Sequence, residues 1–524
     1  MTQTQPEFSA PGSLRLPATA RLTDALSGIS IDATQIKAEL VGWQQVLHSL
    51  QAKKVLFRAE SSLQWALLDL ACLDANILLV PVPAYLSERQ WQHVLEQVAP
   101  DVIIVDLPLN LTTDVAKNDQ IRWSLSYQHY QLYQCDIKAT LSAPAGTQKI
   151  TFTSGSTGQP KGVCLTAAAQ WQVAQSLVSR INLSMPRHLC LLPLPTLLEN
   201  IAGIYAPLLA GGEVVIASEA ARGFQGSRLE TPALLLALIT KIQPDSLILV
   251  PELLQLLVHA CLQGWSAPAS LKFIAVGGAK VAVDLLKQAA GLGLPVYQGY
   301  GLSECCSVVA LSEIDATQAS QQQLTQVGRV LPHLTVKTVA GEIFVKTPFL
   351  GYLGDTSALG AVNWVATGDL GTISADGLLT IHGRKKNLLI LSSGRNVNPE
   401  WVEAELTKTG LIQQALLTGD AKPYCVALLY CANAAVSERQ LTEFVQRINQ
   451  QLPDYARAER WIRLATPFSE AEGTLTANGR PKRDVITARY QREIDTLYPT
   501  QAELSRAASL TNTIVSVQIQ EYPL

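Results

Sequence analysis

Between two apolar runs, the stretch Thr151-Phe-Thr-Ser-Gly-Ser-Thr-Gly-Gln-Pro-Lys-Gly-Val163 collects Gly155, Gly158 and Gly162, the hydroxyls of Thr153, Ser154, Ser156 and Thr157, and one lysine, Lys161. Glycine lets backbone N–H groups turn toward a ligand with no side chain in the way. Hydroxyls add rotatable donors, and a lysine adds a compact positive charge. The combination suits a polyanion such as a nucleotide triphosphate. The bland alternative is a flexible linker, but linkers of this composition need neither a lysine nor a Pro-Lys-Gly ending. The spacing is not that of a Walker loop, because no Gly-Lys-Ser/Thr follows a four-residue spacer.

Three more stretches carry chemistry. Tyr297-Gln-Gly-Tyr-Gly-Leu-Ser-Glu304 joins a flat aromatic, two glycines, a hydroxyl and a carboxylate. An aromatic suits a purine face, and magnesium takes one carboxylate plus phosphate oxygens. Read alone, it has a plainer alternative, a glycine-rich turn with a solvated glutamate. Thr367-Gly-Asp369 is followed by the charged break Gly383-Arg-Lys-Lys-Asn387, and near the C-terminus Leu475-Thr-Ala-Asn-Gly-Arg-Pro-Lys-Arg483 concentrates basic residues.

In this order the four stretches resemble the adenylate-forming superfamily of acyl-CoA synthetases, peptide-synthetase adenylation domains and luciferases. The resemblance implies ATP and Mg2+ as ligands, a carboxylate substrate, and CoA or carrier-protein phosphopantetheine as acceptor. It places Lys161 with Thr153, Ser154, Gly155, Ser156, Thr157 and Gly158 on the phosphates, and Gly278, Tyr300 and Gly301 around the nucleotide. It further implies that Tyr300 stacks on adenine, Ser303 bonds the α-phosphate and Glu304 holds the metal. Asp369 would bind the ribose and Arg384 the ribose or a phosphate. Lys386 falls at the family's hinge position, although an exposed linker charge reads equally well. Ser393-Gly-Arg395 with Asn398, Glu400 and Glu403 resembles the segment that approaches the thiol, with Gly394 leaving room for a pantetheine arm. Gly341–Val345 and Gly351-Tyr-Leu-Gly354 resemble a further block with a structural role. The chain departs from the family at Arg480, which stands where a catalytic lysine is usual; Lys482 follows two residues later. Arginine keeps the charge but not the shape of an ammonium. Leu192–Asn200 resembles the Pro-Leu-x-His-x-x-Glu block of fatty acyl-CoA synthetases, with Thr196 replacing the histidine. Its apolar neighbours Leu194, Leu197, Leu198, Ile201 and Ile204 suit an acyl tail or a packed core.

The elements that must position these residues alternate. Val55–Phe57 reads as a strand, Ser61–Asp74 as a helix, Ile77–Val80 as a buried strand that ends at Pro81 and Pro83, and Ser87–Gln90 as a capping box opening a helix through Val98. Val102–Val105 is the next strand, and the order argues for parallel α/β layers. A second α/β series runs from the helix 166–181 to the strand Lys272–Val276. Short strands and turns follow from Val336, with an Asp376-Gly377 hairpin signal. The expected fold is α/β: a large N-terminal domain (1–384) of layered α/β subdomains plus a β-rich part, and a small, mobile α+β C-terminal domain (385–524).

Composition fits an enzyme of this kind. The 524 residues are 48% hydrophobic and 16% charged, with net charge −3, which points to neither nucleic acid nor an anionic membrane as partner. Nine scattered cysteines without a Cys-x-x-Cys pair read as reduced thiols in the cytoplasm. The N-terminus lacks the pattern of a signal peptide, and no apolar run approaches the ~20 residues of a transmembrane segment. The function expected is ATP-dependent activation of an apolar carboxylic acid, followed by transfer to CoA. The alternatives are an acyl carrier protein as acceptor, or a non-catalytic nucleotide-binding homologue.

Overall fold

The computed structural model describes residues 14–84, 88–106, 121–127, 129–135, 141–153, 161–226, 228–355, 363–392, 396–476 and 479–498. It divides into two compact units, the first ending at Lys385 and the second starting at Lys386. The capping box at Ser87 and the stretch beyond Tyr498 lie outside the described residues.

The first unit is mixed α/β and contains two large sheets. A seven-stranded sheet has the order Ile121–Tyr127, Tyr130–Cys135, Val102–Val105, Lys54–Arg58, Leu78–Val82, Lys149–Thr153, Lys161–Leu165. Its central strands pair in parallel, as their uninterrupted apolar runs require when helices cover both faces. The helix Leu63–Asp74 starts where the Ser62 hydroxyl accepts from the Trp65 N–H, and Leu67, Leu68, Leu70 and Ala71 are completely buried. One expectation shifts here: Leu78–Val82 runs through Pro81 instead of ending at it. Proline has no N–H to give a neighbouring strand, and pairing to Lys149–Thr153 is confined to Leu79↔Lys149, so nothing is lost.

The second sheet has thirteen strands and changes character at Val296–Leu302. On one side that strand pairs in parallel with Phe273–Val276, and beyond it lie Ser246–Leu249, Arg187–Cys190, Glu213–Ile216, Arg21–Asp24 and, antiparallel at the edge, Ser30–Asp32. On its other side it pairs antiparallel with Ser307–Leu311, which leads to Gly328–Val330, Leu378–Arg384, Asn363–Ile373, Glu342–Thr347 and Thr335–Val339. Val296–Leu302 is thus the strand at which parallel pairing gives way to antiparallel pairing.

Leu197–Glu199 and Ala206–Leu209 are joined by a π-helical turn, Asn200–Tyr205, where the Ala206 N–H reaches back to the Ile201 carbonyl. Leu194, Leu197, Ile201 and Ile204 around it are buried in the core, so they serve as packing and not as an open acyl wall.

The second unit is α+β, and its three-stranded sheet alternates with period two between two cores. Ala415, Leu417, Cys425, Ala427 and Leu429 face the helices Pro399–Thr407 and Glu438–Asn449, while Leu416, Val426 and Leu428 face Ile486, Ile494 and Tyr498. All nine thiols are free, and none of the described helices is long and apolar enough to cross a membrane.

Candidate active site

The strand Val296–Leu302 delivers Tyr300 and Gly301 at its C-terminal end, and the 3-10 turn Ser303–Cys305 follows at once with Ser303 and Glu304. Gly301 is dictated by packing: a Cβ there would lie 1.6 Å from the Ser307 carbonyl oxygen. Next to it, Gly278 follows the strand Phe273–Val276 with φ +84°, a conformation glycine adopts without strain.

Asp369 and Arg384 come from a hairpin. Gly377, at φ +76°, closes the turn, with its N–H bonded to the Ser374 carbonyl. The register then runs Ile373↔Leu379, Thr372↔Thr380, Gly371↔Ile381, and slips by one residue, so that Leu370 faces Gly383 and Asp369 faces Arg384. This bulge aims the two charges at each other. Arg384 Nε lies 2.7 Å from Asp369 Oδ1, and the Tyr300 hydroxyl donates to Asp369 Oδ2 at 2.6 Å. The Asp369 N–H donates to the Thr367 hydroxyl at 3.0 Å, and Thr367 in turn donates to the Ile343 carbonyl at 2.9 Å. Burial, and secondarily Asp369, holds the Tyr300 phenol well above its usual range, so it stays a donor. Tyr300, Asp369 and Arg384, far apart in sequence, thus form one cluster.

A second cluster joins the two sheets. Lys161 opens the strand Lys161–Leu165 at the edge of the seven-stranded sheet, and its Nζ lies 5.5 Å from the centre of the Tyr352 ring. The Tyr352 hydroxyl donates to Glu304 Oε1 at 2.8 Å. Lys161, Gly162, Tyr352, Leu353 and Gln97 line a cavity of about 190 Å³. Glu304 offers the carboxylate oxygens that a hard cation such as Mg2+ prefers, so the donor chemistry fits that ion.

The remaining candidates are dispersed. Thr153 ends the strand Lys149–Thr153, while Ser154, Gly155, Ser156, Thr157, Gly158 and Gly394 lie outside the described residues. Lys386 falls in the 3-10 turn Lys385–Asn387, and Asn398 caps the next helix by accepting from the Glu400 N–H. Arg480 and Lys482 flank Pro481 on the return arm of a short hairpin, where the Thr476 N–H bonds the Arg480 carbonyl and the Lys482 N–H the Thr474 carbonyl. Lys482 ends that arm as the N-cap of Arg483–Arg489. Arg483 itself forms a two-pronged ion pair with Glu403, at 2.9 and 2.5 Å. Glu403 therefore anchors this hairpin.

Sequence reasoning missed three features. Tyr352 belonged to a block read as structural; only its place between Gly351 and Gly354 signalled a special backbone. Asp69, Lys149, Asn200 and Tyr205 form a completely enclosed network. Lys149 Nζ sits 2.7 Å from Asp69 Oδ1 and donates to Asn200 Oδ1 at 2.6 Å and the Tyr205 hydroxyl at 2.8 Å. Tyr205 and Asn200 both donate to Asp69 Oδ2, leaving Oδ1 held by charge and not by an aligned hydrogen bond. Across the π turn, His188 meets Glu199 and Ser246, both at 2.9 Å, and Cys190 lies close by. Both ring nitrogens of His188 are engaged, which makes this trio a hydrogen-bonded cluster of the core.

Comparison with known proteins follows the same outline. The model of the AMP-binding enzyme family matches residues 45–350, and that of the AMP-binding enzyme C-terminal domain matches 386–502. The long-chain-fatty-acid–CoA ligase FadD15 of Mycobacterium bovis is 25% identical over 89% of this chain and 91% of its own length. The 2-succinylbenzoate–CoA ligase of Bacillus licheniformis is 30% identical over 71% of this chain and 77% of its own. Among solved structures, O-succinylbenzoate coenzyme A synthetase (MenE) from Bacillus subtilis, in complex with ATP and magnesium ion, superposes with a TM-score of 0.69 at 20% identity, covering 89% of this chain and 96% of that one.

Proposed function

We propose a function from the premise that the chain belongs to the AMP-binding enzyme family: it is an AMP-forming acid–thiol ligase that activates an apolar carboxylic acid and passes the acyl group to CoA. The observation that carries the reading is the assembly of Tyr300, Asp369 and Arg384 into one cluster at the topology change of the larger sheet.

In the first half-reaction a carboxylate oxygen attacks the α-phosphorus of ATP, and the bond to pyrophosphate breaks. Catalysis here is positioning and charge. Tyr300 flanks the base, Asp369 and Arg384 take the ribose, and Ser303 takes the α-phosphate. Lys161, with Thr153, Ser154, Gly155, Ser156, Thr157 and Gly158, neutralises the leaving phosphates, and Gly278 leaves room for the nucleotide beside Gly301, whose missing side chain admits the Ser307 carbonyl. Mg2+, held through Glu304, supplies further neutralisation of the phosphate charge. Arg480, or Lys482 two residues on, contributes a cation from the second unit. In the second half-reaction the sulfur attacks the acyl carbon and AMP leaves, with Gly394 on the thiol's path and Lys386 as the pivot of the mobile second unit.

An apolar acid is favoured by the long-chain fatty acid in one relative's name, not by the residues around the π turn, where Leu194, Leu197, Ile201 and Ile204 are core. Nine free thiols suit the reducing cytoplasm. The test is carboxylate-dependent ATP–pyrophosphate exchange over a panel of fatty and aryl acids, followed by mass identification of the thioester formed with CoA or with a phosphopantetheinylated carrier protein. Absence of exchange with every acid, while ATP still binds, would replace the ligase with a nucleotide-binding homologue.

A further inference from the structure

Lys161 opens a strand of one sheet and Glu304 sits in the turn after a strand of the other, yet both touch the same side chain. The segment Gly351–Leu353 lies antiparallel along the edge strand Lys161–Leu165: Cys164 N–H bonds the Gly351 carbonyl at 3.1 Å, and Leu353 N–H bonds the Gly162 carbonyl at 2.7 Å. Gly162 permits this approach, since a Cβ there would sit 2.8 Å from Ile150 and 3.1 Å from Leu353. Gly351, at φ +105°, and Gly354, at φ +84°, turn the chain on either side. Phe349 packs edge-on against the Tyr352 ring at 5.3 Å and restricts its rotation. One face of that ring meets Lys161, and its hydroxyl reaches Glu304.

We propose that Tyr352 is a positioning residue, which fixes the Glu304 carboxylate for the cation of the nucleotide and holds Lys161 on its ring face, apart from that carboxylate. This rests on the reading of Glu304 as the metal-binding carboxylate. The hydroxyl engages Oε1 and sets the carboxylate's rotamer before a cation arrives. The ring gives the ammonium an attractive surface that is not an anion, so lysine and glutamate need not collapse into an ion pair that would blunt both.

Binding of Mn2+·ATP, read by electron paramagnetic resonance of the Mn2+, tests this without turnover. Tyr352→Phe keeps the ring and removes the hydroxyl. It should weaken Mn2+ binding about tenfold, the size expected for a hydrogen bond to a charged group, and shift the half-saturating Mg2+ for exchange by the same factor with little change at saturation. In a Glu304→Gln background the same substitution should add nothing further. Tyr352→Leu, a second variant, should weaken ATP binding in the absence of the cation as well, because it also removes the ring face against Lys161. If wild-type protein binds no Mn2+·ATP, the reading of Glu304 falls and takes the proposal with it. If wild-type protein binds it and both variants match wild type, or if the Phe effect persists undiminished without Glu304, the proposal alone is overturned.

Discussion

Replacing Lys149 by methionine should destabilise the first unit without touching any residue of the nucleotide site. Lys149 and Asp69 are both fully buried and 2.7 Å apart, on the strand that feeds the glycine-rich loop and on the helix beneath it. Removing one partner of a buried pair leaves a charge without its counterion and costs about 3–5 kcal/mol. The first unit extends to Lys385, and at about 2.1 cal/mol/K per residue its unfolding entropy is about 0.8 kcal/mol/K. The melting temperature should therefore fall by about 4–6 °C. Tryptophan fluorescence is the suitable probe, because Trp43, Trp65, Trp91, Trp123, Trp171, Trp265 and Trp364 all precede Lys386 and only Trp401 and Trp461 follow it. Adding Asp69→Asn neutralises the stranded charge while keeping a polar partner for Asn200 and Tyr205, so the double variant should recover at least half of the loss. Two results would refute the reasoning: a shift under 1 °C for Lys149→Met, or a double variant whose loss equals the sum of the two single losses.

Three further outcomes are expected. Gly301→Ala must push the Ser307 carbonyl away and so displace Tyr300; ATP affinity measured by titration calorimetry should drop at least about tenfold, and unchanged affinity would contradict the packing at this bend. Arg480→Ala should lower acid-dependent exchange by about 10²–10³, the usual cost of losing a positioned donor, and Lys482→Ala should cost less than about tenfold; the opposite order would assign the cation to Lys482. His333 bonds Ser176 at 2.7 Å, and burial lowers its pKa from 6.5 to about 4. Because the unfolded chain takes up the proton first, this residue contributes stability that is fully present above pH 6.5 and lost as pH falls toward 4. His333→Asn should flatten the melting temperature across that window, and an unaltered slope would rule the histidine out.

The parallel layers were legible because a strand covered on both faces is apolar along its buried length, as Val102–Val105 and Leu247–Leu249 are. The glycine-dense stretch near Tyr300 was legible because its residue types are costly without a ligand or a close backbone approach. What periodicity could not convey was the encounter of distant segments. The docking of Gly351–Leu353 on the edge strand depends on two turn conformations and one missing side chain, and no window of sequence contains both partners. The one-residue slip that sets Asp369 against Arg384 is equally hidden, since the hairpin signal at Asp376-Gly377 announces a turn and not the bulge beyond it. Pro81 misled in the other direction, because its effect depends on whether the neighbouring strand asks for its N–H.

The turn Asn200–Tyr205 also limits how this chain can change over generations. Glu199 serves His188 on one sheet, while Asn200 and Tyr205 serve Lys149 on the other, and the wide turn lets adjacent residues face both. A π turn takes one residue more than an α turn, so losing a single codon here would close it to an α turn and change which faces Glu199 and Tyr205 present. Gaining or losing one residue at this spot would disturb two buried clusters at the same time.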